Sequence, residues 1–343
     1  ETLKEEKSSE ETVSEENLDS EENQTESQAT GASKSYVLDI QEEFITDYIW
    51  PTLKAGAIYE NDYLLGTSMA RPLMAKKLVE IANQEGAYYI VHGCTGKGND
   101  QVRFETTIKA LDPSIKIIAP WREWDLSSRE ECIEYAKAHN IPIEQTVKKI
   151  YSRDENIWHI SHEGGNLENP WNEHLDDIHV KSVPIEKAPD KATYVDITFK
   201  AGVPVALDGV EMGPVELLTK LNELGSVNGV GTIDIIENRL VGMKSRGVYE
   251  TPGGTILMAA HEQLEELTLD RETMETKKKL GSQFAQVVYE GKWYTPLREA
   301  IQAFVESTQK YVTGEVKMRL YKGNIIKAGT TSPYSLYNES LAS

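Results

Sequence analysis

The first apolar run along the chain, Tyr36–Ile40 (YVLDI), predicts a short buried strand, and the residues after it read as helical. Between Pro72 and Glu85, the positions Leu73, Met74, Lys77, Leu78, Ile81 and Ala82 recur at helical spacing, with Pro72 near the start and Gly86 as the stop. A turn of glycine and hydroxyls, Tyr63 to Ser68 (YLLGTS), comes just before that helix. Tyr88–Gly93 (YYIVHG) then predicts a strand, Asp100–Leu111 a helix and Ile115–Pro120 (IKIIAP) another strand. A further helix follows near Glu130–His139, with Ser127 and Glu130 as its capping box. Such strand–helix alternation predicts a parallel sheet with crossover helices.

After Pro142 the pattern changes. A polar stretch rich in Gly, Asn and Trp runs from Tyr151 to Asp177, and its length predicts a ligand-facing loop between domains. Strands are expected at Tyr194–Phe199, Val203–Leu207 and Thr232–Ile236, with a short helix at Pro214–Leu224 ended by Gly225. A longer helix, Thr295–Val312, turns Leu297, Ala300, Ile301, Phe304 and Val305 inward, and EVKMRLYKGNIIKAG predicts a hairpin turning at Lys322-Gly323. Ser332–Ser343 has apolar spots without a core and suits an arm that docks on a neighbouring subunit. The expected division is an acidic disordered tail at 1–33, a first, parallel-sheet domain at 34–148, a second, α+β domain at 149–330 and a C-terminal arm at 331–343.

Charge changes this picture at one end. Of the net −20, nine units fall within Glu1–Thr30, where eleven acidic residues face two lysines and apolar content is too low for a core, so disorder is expected there. The acidic balance argues against a nucleic-acid partner, because phosphate backbones call for surplus Lys and Arg. No run approaches the ~18 apolar residues of a membrane span. Cys94 and Cys132 are too few for a disulfide framework and read as packing residues in a reducing, cytoplasmic setting, and no histidine pair has metal-site spacing.

The turn from His92 to Arg103, HGCTGKGNDQVR, lies between a strand and a helix start, where open α/β sheets bind ligands. Its glycines permit close backbone approach, the helix N-terminus offers free N–H groups and Lys97 adds a cation, so anionic or nucleotide groups fit. The GxxxxGK[ST] spacing of a Walker loop is absent. Asn99 and Asp100 can grip both ends of a zwitterion, although Asp100 could also simply cap its helix. Arg103, on the same helical face, could fork a carboxylate or stay solvated. Two more polar groups stand out: Tyr151–Asn156 with Ser161 and Glu163-Gly164-Gly165, and Glu237–Thr255, where Arg239, Lys244 and Arg246 share a stretch with Glu237 and Glu250 that could be a salt-bridged hairpin. There is no GxSxG elbow, and Cys94 has no evident base, so no nucleophilic side chain is assigned.

YLLGTSMARP, HGCTGKGNDQVRFE, IIAPWREW, YSRDENIWHIS, GTIDIIENRLVGMKSRGVYETPGGT and SPYSLYN together resemble argininosuccinate synthase, in order and spacing, from about Gly31 to the C-terminus. The resemblance implies an adenine nucleotide α-hydrolase-like parallel-sheet domain, here truncated, followed by an α+β synthetase and multimerisation domain. It implies an ATP-dependent ligase of arginine biosynthesis in which the citrulline ureido oxygen attacks the α-phosphorus, pyrophosphate leaves, and the aspartate amine displaces AMP from citrullyl-AMP. By matching motifs, Tyr63, Ser68, Asn99, Arg103, Ser152, Ser161, Glu237 and Tyr249 would hold citrulline, and Thr95, Asn99 and Asp100 aspartate. His92, Gly93, Thr95, Gly96 and Lys97 would face ATP, which would enter with Mg2+. The family's SGGLDTS pyrophosphate loop does not occur in these residues, from which weak ATP binding is expected. Homotetramerisation, or assembly with a chain that supplies the missing strands, is implied; the competing expectation is an impaired paralogue or regulatory subunit that binds amino acids or a full-length synthase.

Overall fold

The computed structural model describes residues 31–96, 98–126, 129–141 and 151–342. The expected acidic tail to Thr30, Lys97 and the Ser127 cap lie outside the described residues. Contacts divide the described residues into two compact units, one within 1–40 and 125–146, the other within 41–124 and 147–343.

In the smaller unit Arg129–Ala138 is a helix (α5), as its pattern predicts. Tyr36–Ile40 is not the expected strand: it has no regular structure, and Tyr36, Val37 and Leu38 are exposed. No strand among the described residues pairs with it, and a strand forms only where a neighbouring strand takes its backbone hydrogen bonds.

The larger unit opens with helix α1 (Gln41–Phe44), which runs through a π-helical turn, Ile45–Ile49, into α2 (Trp50–Ala55). Helix α3 (Gly66–Glu85) begins six residues before Pro72, so Gly66, Thr67 and Ser68 form its first turn rather than a preceding loop. Pro72 thus lies inside the helix, where it removes the N–H that would bond the Ser68 carbonyl and its ring crowds that carbonyl. The buried face of α3 is also rotated from expectation: Leu73, Ala75, Val79 and Ala82 are inside, whereas Met74 and Leu78 are exposed. Small residues at 75, 79 and 82 let α3 approach strand β1 (Tyr89–Val91) and helix α4 (Asn99–Leu111), and a shared core forms with Ile90, Phe104, Ile108 and Ile115. Strand β2 (Lys116–Ile118) pairs with β1 in parallel, the crossover arrangement that the alternation predicts.

Two antiparallel sheets complete this unit. Strands β3 (Ser152–Glu155), β4 (Ile160–Glu163), β8 (Thr232–Asn238) and β9 (Lys244–Glu250) form one in the order β3-β4-β9-β8. The polar stretch after Tyr151 is therefore partly sheet, which its low β-propensity conceals. Strands β5 (Thr193–Lys200), β6 (Val203–Leu207), β7 (Val210–Glu211), β10 (Gly314–Tyr321) and β11 (Asn324–Thr331) form the other, ordered β11-β10-β5-β6-β7. The β10–β11 hairpin turns at Lys322-Gly323, both with positive φ (44° and 76°), as a two-residue hairpin turn requires.

Helix α6 here is Pro214–Val227 and continues past Gly225, whose missing side chain leaves room for Pro252. Helices α7 (Pro252–Thr268) and α8 (Arg271–Tyr289) escape the sequence pattern because α7 opens on Pro-Gly-Gly, a turn signature. In α9 (Pro296–Gln309) Ile301 and Val305 point inward as expected, but Leu297 and Ala300 are exposed. Arg298 takes the buried place instead, its Nε donating to the Trp293 carbonyl at 2.6 Å with the guanidinium 4.8 Å from the Trp293 ring centre.

Gly254 gives this packing a test whose sign is unusual. A Cβ there would lie 2.7 Å from the buried Trp158 ring and from Thr251 Cγ2. Glycine to alanine in a helix ordinarily stabilises by about 1 kcal/mol; here Gly254→Ala is expected to destabilise by about 1–3 kcal/mol through overpacking, read from urea denaturation midpoints.

Candidate functional site

Strand alternation places successive side chains on opposite faces, and in the β3-β4-β9-β8 sheet it gathers the polar residues on one of them. Ser152 pairs with Glu163 and Asp154 with Ser161; Ser161 pairs in turn with Tyr249, and Glu237 lies on the same face of β8. The opposite face carries His162, Val248 and Glu250, all fully buried, with His162 Nε2 2.9 Å from the Glu250 carboxylate.

Two helix starts supply the other wall. Thr67 and Arg71 are four residues apart on α3, and Asn99 and Arg103 four apart on α4, so each pair shares a helical face. Together these elements enclose a cleft of about 400 Å3, lined also by Tyr63, Gly93, Cys94, Thr95, Gly98, Arg153 and Arg239.

Of the residues assigned to citrulline and aspartate, Tyr63, Thr95, Asn99, Asp100, Arg103, Ser152, Ser161, Glu237 and Tyr249 line this cleft. Ser68 is fully buried in α3 and does not. Of those assigned to ATP, Gly93 and Thr95 line it, and a Cβ at Gly93 or Gly96 would meet nothing within 4 Å, so the backbone is bare. Gly96 is exposed outside the cleft lining, and Lys97 lies outside the described residues. His92 is buried behind the turn: its Nδ1 accepts from Cys94 N–H at 3.3 Å, so Nε2 carries the hydrogen directed at Glu105, 3.1 Å away.

Asp100 does not cap its helix. One carboxylate oxygen accepts from Arg103 at 2.9 Å and the other from Arg71 at 2.9 Å, while Arg71 also reaches Asp154 at 2.8 Å. Burial alone would raise the Asp100 pKa, but the two guanidiniums outweigh it and hold the carboxyl below its usual range. Glu237 behaves oppositely. Its burial dominates and raises its pKa, even though it accepts from Tyr289 Oη at 2.9 Å and Tyr249 Oη at 3.2 Å.

Charged pairing across the β8–β9 stretch differs from a self-contained salt-bridged hairpin: Arg246 forks Asp234 within it, but Arg239 reaches across to Glu163 at 2.7 Å. The lining residues that sequence reasoning left without a role are Thr67, Arg71, Arg153, Asp154 and Glu163. The signal for Arg71 was its spacing of four from Thr67. Asp154 alternates with Ser152, a pattern visible only once the stretch is known to be a strand.

His159 lies buried outside the cleft lining, behind Thr67 and Tyr249, stacked on the latter with ring centres 5.9 Å apart. The Thr67 hydroxyl donates to Asp154 at 2.8 Å, so toward His159 Nε2, at 3.1 Å, it accepts. His159 Nδ1 then stays unprotonated and has no partner. Burial, aided by the charge of Arg71, lowers its pKa to about 3.

Comparison with known proteins comes out on one family. A family model described as the arginosuccinate synthase N-terminal HUP domain matches residues 10–142, and one described as the arginosuccinate synthase C-terminal domain matches 151–343. The chain is 68% identical over 311 residues to the argininosuccinate synthase of Alkaliphilus metalliredigens, covering 91% of this chain and 75% of that protein. It is 62% identical to that of Desulforamulus reducens, covering 91% and 78%, and 65% identical to that of Agathobacter rectalis, covering 92% and 78%.

The depressed His159 pKa makes stability pH-dependent. The unfolded side chain titrates near 6.5 and the folded one near 3, so the unfolded state binds the extra proton as pH falls. The stability contributed is complete above pH 6.5 and is lost progressively down to about 3, with a slope of up to about 1.4 kcal/mol per pH unit. Denaturation curves from pH 7 to 4 are expected to show this slope, and His159→Gln to reduce it by about one proton.

Proposed function

The chain belongs to the argininosuccinate synthase family, and we propose that the cleft between the four-stranded sheet and the starts of α3 and α4 is where it joins citrulline to aspartate. It is an ATP-dependent carbon–nitrogen ligase: citrulline is activated as citrullyl-AMP with release of pyrophosphate, and aspartate then displaces AMP to give argininosuccinate. The observation that carries the assignment of the cleft is the balance of its lining. Three arginines (Arg71, Arg103, Arg239) face four carboxylates (Asp100, Asp154, Glu163, Glu237), a set matched to amino-acid zwitterions rather than to a polyanion alone; the Arg153 guanidinium is turned to the other face of the sheet, where it donates to His162 Nδ1.

In this reading Tyr63, Asn99, Arg103, Ser152, Ser161, Glu237 and Tyr249 hold citrulline, with Ser68 left outside the set because it is buried in α3 away from the cleft lining, and Thr95, Asn99 and Asp100 hold aspartate. Each Asp100 oxygen already accepts from an arginine but keeps a second lone pair for a substrate ammonium. The turn from His92 to Lys97 serves ATP, whose phosphates would meet the uncrowded backbone at Gly93 and Gly96. Mg2+ would enter on those phosphates, because Asp100 and Asp154 are committed to arginines, and this ion keeps most of its ligands as water and phosphate oxygen. The catalytic work is positioning and charge stabilisation, with no side-chain nucleophile.

Residues 34–148 act as the nucleotide-binding part and 149–330 as the synthetase part of this reading. Homotetramer formation through the C-terminal arm is supported by exposed Leu336, Tyr337 and Leu341. Cytoplasmic residence is supported by Cys94 and Cys132, both free thiols. Among the described residues no helix is long and apolar enough to cross a membrane.

The test is release of AMP and pyrophosphate that needs ATP, citrulline and aspartate together; release that ignores either amino acid would sink the assignment. Asp100→Asn separates the roles. It is expected to raise the aspartate KM about 10-fold or more, the scale of a lost hydrogen bond to a charged group, and the citrulline KM less.

A further inference from the structure

Tyr289, the last residue of α8, is fully buried and does not line the cleft, yet it touches three of the residues assigned to citrulline. Its hydroxyl accepts from Asn99 Nδ2 at 2.8 Å and donates to Glu237 Oε1 at 2.9 Å. Its carbonyl accepts from Arg103 Nε at 3.0 Å, and the Arg103 guanidinium carbon lies 4.9 Å from its ring centre. The ring is fixed from the far side by Tyr59, stacked at 3.6 Å and 5°.

A phenol has one hydrogen to give. Because that hydrogen goes to Glu237, the oxygen can only accept from Asn99, which fixes the Asn99 amide with its nitrogen toward Tyr289. The other end of the amide is fixed independently, since Leu240 N–H donates to Asn99 Oδ1 at 2.9 Å. Asn99 therefore keeps one N–H and one lone pair for substrate, in a set direction. Glu237 is held likewise, one oxygen by Tyr289 and the other by Tyr249.

We propose that Tyr289 is a positioning residue that aligns the Asn99 amide, the Glu237 carboxylate and the Arg103 guanidinium to receive citrulline. The inference rests on the citrulline assignment above. Tyr289 touches no substrate; it acts through the three side chains it holds. Its hydroxyl also stabilises the ionised form of Glu237 against burial, which opposes that charge. Tyr289→Phe keeps the stack on Tyr59 and the carbonyl bond to Arg103, and removes only the two hydroxyl bonds.

Citrulline titration calorimetry on the full chain between pH 5 and 8 tests this. Tyr289→Phe is expected to bind citrulline about 10-fold more weakly or worse at pH 7, with the acid-side loss of affinity moved to higher pH because Glu237 is then protonated more easily. In combination with Glu237→Gln the two losses are expected to be less than additive. A purely structural role would weaken binding equally at every pH and add to the Glu237→Gln loss, and either result overturns the inference. Unchanged affinity in Tyr289→Phe, with wild type binding, overturns it while leaving the citrulline assignment standing. A wild-type chain that binds no citrulline overturns the assignment, and the inference with it. Thermal melts by circular dichroism identify any variant that has failed to fold; Tyr289→Trp, which keeps an aromatic face and a donor but misplaces it, is then expected to show the same weakened binding.

Discussion

The cleft depends on one carboxylate held between two guanidiniums. Asp100 joins Arg71 of α3 to Arg103 of its own helix, and Arg71 carries the connection on to Asp154 in β3. Three elements far apart in the chain are thereby fixed at one point. The arrangement is mostly buried, where an unpaired charge is far more costly than at the surface. Removing any member leaves a partner uncompensated, so the cluster sets the spacing of the cleft as well as its charge.

Around that point the chemistry is sorted by secondary structure. The sheet offers hydroxyls and carboxylates at every second position, and the helix starts offer an amide, a hydroxyl and guanidiniums at every fourth. The turn before α4 adds backbone with nothing crowded against it. A ligand with a carboxylate, an ammonium and a polar end finds all three kinds of partner within one cleft, which is what a reaction between two amino acids needs. Tyr289 adds a layer behind this surface, ordering side chains it does not resemble and lies far from in sequence.

The alternation of β1, α4 and β2 was legible in the sequence because each buries one face at its own period, and the β10–β11 turn because Lys322-Gly323 carries its own backbone signature. The motif residues too could be read, since they stand in short runs. What the residues hid was tertiary in origin. Thr67, Ser68 and Gly66 look like a loop because glycine and hydroxyls break isolated helices, yet packing carries α3 back through them. Gly253 and Gly254 look like a turn, but they are small because Asn222 and Trp158 press on α7. Tyr36–Ile40 shows the reverse error: an apolar run becomes a strand only where another strand accepts its hydrogen bonds. Tyr289 gave no signal, as its partners lie 186 and 52 residues away.

The sheet face also constrains how the gene can vary. Ser161, Glu163 and Tyr249 look into the cleft, while His162 and Glu250, their immediate neighbours, are sealed behind it. Side chains change face with every residue, so an insertion or deletion of a single codon in β4 or β9 would exchange the two sets past that point, placing the buried His162–Glu250 hydrogen bond in the cleft and the binding groups in the core. Length changes in these strands should therefore be tolerated far less than substitutions, and homologous chains should differ in loop length on either side of them but not within.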